Sequence, residues 1–344
     1  MLITQTKKYM NMLSKAKTEH AIELVKTTFA AQLAQQLELI KVSSPIAIID
    51  GTGINDDLNG IERPVSFPIK AMNEQKAVVV HSLAKWKRLR LHELSVPLHK
   101  GIYTDMRALR PDEDFTPIHS VYVDQWDWEK HIATVDRNIA FLKSTVEKIY
   151  AALKHTETIV HRAYEHIVPI LPSSITFVHA EDLLKEYPAL SIKERETVVA
   201  RKYGAVFIIG IGGDLGNGSI HDGRAPDYDD WSTATSETHR GLNGDIVLWN
   251  PILESAFEIS SMGIRVDAKA LSRQLEIRNC EERSRFSFHR LLLDGILPQS
   301  IGGGIGQSRV CMFLLRKAHI GEVQVGIWSE AVREHYIEQG IELL

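Results

Sequence analysis

The sequence predicts an α+β fold, in which a mostly antiparallel sheet is flanked by helices. Strand-like segments at 102–110 and 118–126 are separated only by a short charged loop, which is typical of a hairpin. Segments 245–249 and 257–266 are close neighbours too, with a turn around Asn250-Pro251 between them. Links this short favour antiparallel neighbours over a doubly wound sheet, because parallel strands need long crossover connections.

The remaining segments alternate between helical and extended patterns. The first part of the chain predicts a helix at 18–40, an extended segment ending at Pro45, a glycine- and aspartate-rich loop at 50–60, strands at 65–70 and 77–82, and a basic helix at 84–94. The second part predicts a heptad-like helical seam at 132–167, a strand at 175–179, two helices, a strand at 205–210 and a long loop at 212–244. We expect the seam to pack on the sheet or on another helix rather than to form a free coiled coil.

Length and composition indicate an ordinary globular protein. The 344 residues show no internal repeat, and we expect an N-terminal extension at 1–17 followed by a single catalytic domain at 18–344. The net charge of −4 gives no basic footprint for a nucleic acid, and no apolar run is long enough to cross a membrane. Cys280 and Cys311 form neither a disulfide framework nor a zinc-ligand set. Without a secretory signal, the chain is expected to be soluble, reduced and cytoplasmic.

The run Ile301–Arg309 is the strongest local signal in the chain. Glycine at 302, 303, 304 and 306 allows close approach of a ligand or a positive φ angle. Arg309 follows where an apolar helical pattern begins, so a phosphate could meet both its guanidinium and a helix N-terminus. The alternative is a glycine-rich turn between two packed elements.

Polar side chains alternate with indoles along 123–129. On a strand, Gln125, Asp127 and Glu129 share one face, while Trp126 and Trp128 share the other. Because the indoles indicate a packed sheet, we expect the polar face to line a pocket rather than to be plain surface.

Charged residues outside this strand offer further candidates. Arg110 ends a strand beside acidic residues, where it could bind a phosphate or form a surface salt bridge. Arg224 precedes several aspartates, including Asp229, and a second group of acids surrounds Asp56. Such acids can hold an ammonium group or Mg²⁺, although a single one is more often a solvated turn residue.

Two more groups are less distinctive. Glu258 and Ser261 lie on the polar strand at 257–266, which could line a site. Ser82 and Lys87 follow an apolar strand, where anions are often bound, or belong to a solvated basic helix face.

Taken in order, these segments resemble the ammonia-dependent asparagine synthetase (aspartate–ammonia ligase) family, which is similar to the catalytic domain of class II aminoacyl-tRNA synthetases. The resemblance runs from about residue 18 to 330. Gln307-Ser308 stands before Arg309, where the tRNA synthetases usually carry an acid, and this favours the ligase branch. The matching blocks are 81–88, 108–114, 119–129, 224–232, 241–245, 260–267 and 301–309.

The resemblance implies ATP-dependent amidation of L-aspartate with ammonia, through a β-aspartyl-adenylate, to give L-asparagine, AMP and pyrophosphate. It implies catalytic roles for Asp56, Arg110, Gln125 and Arg309. Substrate contacts are implied for Ser82, Lys87, Asp127, Arg224, Asp229 and Ser261. Nucleotide contacts are implied for Arg110, His119, Ser120, Glu258, Gly304 and Arg309, with Glu258 as a Mg²⁺ ligand. It also implies a homodimer, through the helix leading to Pro45, and no nucleic-acid or membrane partner.

Two rival functions stay open at this stage. An aspartyl- or asparaginyl-tRNA synthetase would carry an anticodon-binding barrel ahead of the first motif, for which the sequence before Pro45 leaves no room. A non-catalytic paralogue that binds amino acid or adenylate would not need both Arg110 and Arg309. Glutamine as the nitrogen donor is not expected, because residue 2 is Leu2 rather than the cysteine nucleophile of glutamine-dependent synthetases.

Overall fold

The computed structural model describes residue 9, residues 11–56 and residues 62–344. Its centre is an eight-stranded sheet with the strand order β1-β5-β6-β11-β10-β9-β8-β7, and a three-stranded sheet with the order β2-β4-β3 lies beside it. All neighbours in both sheets are antiparallel except the two edge pairs, β1 with β5 and β7 with β8. The predicted fold class is therefore confirmed.

The described residues form the following elements. The strands are β1 Leu39–Lys41, β2 Ala47–Ile49, β3 Ser66–Ile69, β4 Gln75–Val79, β5 Gly101–Leu109, β6 Tyr122–His131, β7 Thr176–His179, β8 Ala205–Ile209, β9 Asn243–Asn250, β10 Ser255–Ile264 and β11 Ser300–Gly306. The helices are α1 Lys15–Leu37, α2 Ala84–Glu93, α3 Ile139–Ala163, α4 Ala180–Glu186, α5 Ile192–Tyr203, α6 Ala268–Ile277, α7 Ser287–Leu293, α8 Gln307–Leu314 and α9 Glu330–Glu338.

Helices α1 and α3 cover one face of the large sheet. Helix α1 buries a stripe of apolar side chains at helical spacing, and the Phe29 ring packs 4.5 Å from that of Trp126 on β6. Helix α3 buries its own stripe in the same core, as expected for a long helix packed on the sheet. Helix α1 begins at Lys15, before the predicted start, because the Ser14 side chain caps its first turn. Part of the predicted loop at 50–60 lies outside the described residues.

The glycine run is a strand, which excludes the alternative of a glycine-rich turn. Strand β11 pairs with β6 on one side and with β10 on the other. None of its glycines has a positive φ angle, so backbone freedom is not their purpose. A Cβ at Gly302 would overlap the Glu129 carboxylate, and one at Gly304 would overlap the side chain of Gln125. Glycine is therefore needed because neighbouring strands send side chains across β11.

Helix α2 is not a solvated basic face. Lys85, Lys87 and Arg88 are each about 2% exposed. The Arg88 guanidinium donates to the carbonyl oxygens of Pro298 (2.8 Å) and Val266 (2.7 Å). Burial of a cation is costly without partners, so this helix is fixed by specific polar contacts rather than by solvent. No helix in the described part of the chain is long and apolar enough to cross a bilayer.

The segment after α8 joins both ends of the described chain to the body. Tyr9 donates its hydroxyl to Glu322 at 2.8 Å, and the backbone N–H of Leu344 donates to Gly321 at 2.7 Å. In the same segment, His319 is almost fully buried beside Trp328, and its Nδ1 accepts a hydrogen bond from the N–H of Gly321. Burial lowers the pKa of His319 to about 4.

A histidine that stays neutral when folded makes stability depend on pH. The unfolded chain takes up a proton at His319 near pH 6.5, whereas the folded chain does so only near pH 4. This residue therefore costs stability as pH falls from about 6.5 towards 4. His319→Asn keeps an acceptor for the N–H of Gly321 but cannot titrate. We expect its melting temperature to fall less between pH 7 and pH 5 than that of the unaltered chain, and equal slopes would contradict this account.

Candidate active site

A cavity of about 520 Å³ lies on the sheet face opposite α1 and α3. Its floor is formed by β6, β11 and β10, and its rim by the start of α2 and by the segments at 110–120 and 222–229. The structure brings every predicted site residue to this one cavity. They are Asp56, Ser82, Lys87, Arg110, His119, Ser120, Gln125, Asp127, Arg224, Asp229, Glu258, Ser261, Gly304 and Arg309.

Alternation along β6 places the indoles and the polar side chains on opposite faces, as predicted, but only two of the three polar residues line the cavity. Trp126 and Trp128 enter the core and Gln125 and Asp127 line the cavity, whereas Glu129 is fully buried beside Arg265. Gly304 is in register with Asp127 on the neighbouring strand and leaves the space that both polar side chains occupy. The cavity floor is thus polar at β6 and bare at β11.

A β-bulge in β10 places two predicted residues on the cavity face. The pairing with β9 shifts between Glu258 and Ser260, so that Ile259 is an extra residue. Without the bulge, Glu258 and Ser261 would point to opposite faces, because three positions separate them. Ser260 aligns with the core residues Ile246 and Ile305, and its side-chain orientation could not be read from the sequence.

One end of the cavity combines acids with a buried lysine. Asp56 is 3% exposed and accepts a hydrogen bond from the Ser82 hydroxyl at 2.8 Å. Lys87 donates its ammonium to the carbonyl of Gly303 at 2.9 Å and lies 3.4 Å from the Asp127 carboxylate. Burial lowers the pKa of Lys87, while the nearby Asp127 carboxylate opposes the change. This end can hold both charged ends of a small zwitterion.

Arg265 organises the adjoining part of the cavity and was not predicted as a site residue. Its guanidinium lies 2.8 Å from the Glu129 carboxylate and also pairs with Asp229. Burial would raise the pKa of Glu129, but Arg265 lowers it below its usual value; at Asp229 burial prevails and the pKa is raised. The sequence held one signal for this role: Arg265 lies two positions after Gly263 and four after Ser261, so all three share one face of a strand.

A second missed residue, Asp245, holds Arg224. The Nη2 of Arg224 donates to the Asp245 carboxylate at 2.6 Å, and both side chains are largely buried. Burial raises the pKa of Asp245 despite the opposing effect of Arg224. The two residues are 21 positions apart, so only the folded loop brings them together.

The other end of the cavity carries two arginines with spare donors. Among the described residues, the Arg110 side chain makes one hydrogen bond, at 3.3 Å, to the carbonyl of His81, and its buried Nε has no partner. Arg309 donates to the carbonyl of Glu258 at 3.0 Å and lies 3.6 Å from its carboxylate. Donors left free in a cavity suit an anion with several oxygens.

His119 and Ser120 lie between these arginines. Burial, reinforced by the charge of Arg309, lowers the pKa of His119 to about 4, so its ring is neutral at physiological pH. The Ser120 hydroxyl donates to Gln324 at 2.6 Å, and Gln324 also lines the cavity. Gln324 lies beyond the glycine motif, and no sequence pattern singled it out.

The pair Gln307-Ser308 fixes the first turn of α8. Gln307 donates to Asp105 on β5 at 3.0 Å, and the Ser308 hydroxyl donates to Asp124 on β6 at 2.6 Å. Asp124 also accepts from the backbone N–H of Ser308, and thus acts as a cap. These contacts aim the next residue, Arg309, into the cavity.

The residues around Glu258 suit a metal ion only in partnership with a ligand. The described residues contain no group of three or more histidine, cysteine or acidic side chains that could hold a metal. The Glu258 side chain is 39% exposed and faces Arg309. Mg²⁺ commonly takes one or two carboxylates together with phosphate oxygens and water, and a single acid fits that arrangement.

Comparison with known proteins shows the family to which this chain belongs. Residues 16–340 match the family model described as aspartate-ammonia ligase. The chain belongs to the aspartate–ammonia ligase family. It is 52% identical over 336 residues to the aspartate–ammonia ligase of Parabacteroides distasonis, covering 98% of this chain and 97% of the relative. It is 53% identical over 338 residues to that of Clostridium perfringens, covering 98% of each.

Comparison with solved structures shows which proteins share the fold of this chain. The asparaginyl-tRNA synthetase of Entamoeba histolytica superposes with a TM-score of 0.65 at 12% identity, over 90% of this chain and 67% of its own. That of Pyrococcus horikoshii, complexed with asparaginyl-adenylate, gives 0.65 at 13% identity, over 91% of this chain and 70% of its own. The fold is therefore that of a class II aminoacyl-tRNA synthetase catalytic domain, which confirms the resemblance.

Proposed function

We propose that this chain converts L-aspartate, ammonia and ATP into L-asparagine, AMP and pyrophosphate through a β-aspartyl-adenylate. The observation that carries the proposal is the two-ended cavity, with acids and a buried lysine at one end and two arginines at the other. The family name supports the overall reaction, and an adenylate bound to a structural neighbour supports the intermediate.

The arginine end suits the first step. A β-carboxylate oxygen of aspartate attacks the α-phosphorus of ATP, and the bond from that phosphorus to the bridging oxygen breaks to release pyrophosphate. Arg110 holds the α-phosphate with its guanidinium, and Arg309 holds the departing pyrophosphate. Both act by position and charge, which supply most of the catalysis in such transfers.

The acidic end suits substrate binding and the second step. Asp127 and Asp229 surround the amino acid's ammonium group, Lys87 meets a carboxylate, and Gln125 faces the reacting carboxyl group. Asp56, held by Ser82, takes a proton from the incoming ammonium. Ammonia then attacks the β-carbonyl carbon, the carbon–oxygen bond to AMP breaks, and the new amide nitrogen loses its extra proton to solvent.

The remaining contacts bind the nucleotide. His119 and Ser120 lie beside the phosphates, and Gly304 leaves room on the floor. Glu258 would hold Mg²⁺, which when bound offsets phosphate charge.

We also propose a homodimer formed through α1. The face of α1 that does not pack on the sheet is exposed, and the segment after it carries two exposed apolar side chains, Ile40 and Ile46. Sedimentation at micromolar concentration would separate a dimer from a monomer.

Product analysis tests the proposed reaction. With ¹⁵N-ammonium, L-aspartate, ATP and Mg²⁺, we expect ¹⁵N in the side-chain amide of asparagine and one AMP per asparagine. Each omission should stop the reaction, and glutamine in place of ammonium should give a far lower rate. Formation of ADP instead of AMP would contradict the adenylate. Transfer of labelled aspartate to tRNA without free asparagine would favour the synthetase alternative.

A further inference from the structure

A second buried ionic cluster lies behind the cavity and is centred on Asp227. The Asp227 carboxylate is fully buried and lies 3.3 Å from Lys85 Nζ, 3.2 Å from His289 Nε2 and 3.3 Å from Arg283 Nη1. These neighbours lower the pKa of Asp227 strongly, against the effect of burial, so it is ionised. None of these four side chains lines the cavity.

The cluster joins two parts of the chain that supply residues to the cavity. Lys85 lies on α2, two positions before Lys87, whose ammonium enters the cavity. Asp227 lies between Arg224 and Asp229, which line the cavity from the opposite side. The ion pair thus connects the two sides of the amino-acid end.

The segment containing Asp227 is held by a few local contacts, because no helix or strand is formed between Ile209 and Asn243. Its backbone is anchored just after Asp227, where Asp229 forms a single bridge with Arg265. The Gln274 amide also donates to the carbonyls of Pro226 (2.8 Å) and Asp229 (2.9 Å). Before that bridge, side-chain contacts such as the Asp227 ion pairs add to the few bonds that position the segment, and a stretch with few such bonds moves more readily when one is lost.

We propose that Asp227, with Lys85 and His289, is a positioning cluster that sets the separation of Lys87 from Arg224 and Asp229 and so determines affinity for the amino-acid substrate. The inference rests on the proposed function. The cluster should not affect the nucleotide end of the cavity, because other elements position its two arginines. Arg110 directly follows β5 and contacts His81, and Arg309 lies on α8 and contacts β10. Errors of about 1 Å in placing such groups can cost roughly 100-fold in activity.

Asp227→Asn tests the proposal, since it keeps the shape of the side chain and removes its charge. We expect the KM for aspartate to rise by about 10-fold to 100-fold, and the KM for ATP to change by less than about 3-fold. Equilibrium dialysis with labelled L-aspartate should show the same loss of affinity without turnover.

Glu157→Gln is the matched control. Glu157 is a buried carboxylate 3.2 Å from Arg316, and neither residue lines the cavity. Both variants should melt at lower temperature, because each leaves a buried cation without its anion. Only Asp227→Asn should weaken aspartate binding. Equal KM values for aspartate in the two variants would show a merely structural role.

A second variant keeps the test decisive if Asp227→Asn does not fold. Lys85→Met removes the cation but keeps the buried chain, and should raise the KM for aspartate, whereas Lys85→Arg should restore much of the affinity. An unchanged KM in Lys85→Met would overturn the cluster's role. If the unaltered chain binds aspartate but forms no asparagine, the proposed function fails, while the affinity comparison still decides the positioning role.

Discussion

Replacing Arg110 or Arg309 with alanine is expected to lower the rate of pyrophosphate release by about 100-fold to 1,000-fold each. Both guanidiniums enter the cavity with donors that the protein leaves free or weakly engaged. In the proposed first step, negative charge would grow between the α-phosphorus and the leaving pyrophosphate, and a fixed cation would stabilise the transition state more than the ground state. Pre-steady-state release of pyrophosphate measures the step directly.

Arg107→Ala is the matched control, because Arg107 lies on β5 just before Arg110 and its side chain is exposed. Its rate should be unchanged. Lysine at 110 or 309 should recover only part of the loss, because one ammonium cannot replace a planar pair of donors. Unchanged pyrophosphate release in both alanine variants would show that neither arginine acts in the proposed step.

Gly304→Ala is expected to reduce kcat/KM for aspartate by at least about 100-fold, the scale expected when catalytic groups move by about 1 Å. The new Cβ would overlap the Gln125 side chain and lie 2.7 Å from Asp127 Oδ1. The backbone of β6 is fixed in the middle of the sheet, so the ends of both side chains would have to turn away from their places on the cavity floor. Because the ends of these side chains can move, we expect a small loss of stability of about 1 kcal/mol, the low end of the range for overpacking. Steady-state kinetics and thermal melting separate the two effects.

Gly326→Ala provides the comparison, because the atoms nearest to its new Cβ belong to the Trp328 side chain, at 3.3 Å, and neither residue lines the cavity. Activity should be retained. If Gly304→Ala kept normal activity and stability, the floor of the cavity would be more tolerant than its geometry indicates.

Local sequence patterns predicted the features that depend on a single helix or strand. The alternation at 123–129 predicted the polar face of β6, and the spacing of apolar residues predicted α1 and α3. Both depend only on the period of the backbone and on which face is buried.

Local sequence patterns did not predict features that depend on a residue far away in the chain. The bulge at Ile259 depends on pairing with β9, and the contacts of Arg265 and Asp245 depend on how the loop at 212–242 folds. The sequence left open whether the glycines of β11 form a turn, because the side chains that require glycine there belong to other strands. Such residues are fixed by tertiary contacts, which a single segment does not contain.

The bare strand β11 limits how this enzyme could be redesigned. A side chain at Gly302 collides with Glu129, one at Gly303 with Met262 and one at Gly304 with Gln125, so three separate neighbours block three consecutive positions. Reshaping the β11 part of the floor at 302 or 304 would therefore need paired substitutions, one on β11 and a smaller residue opposite it, whereas at 303 the backbone carbonyl of Ser261 also blocks a side chain. Single changes remain available on β6, on β10 and at the rim, and laboratory evolution of new substrate preference should find its first successes there.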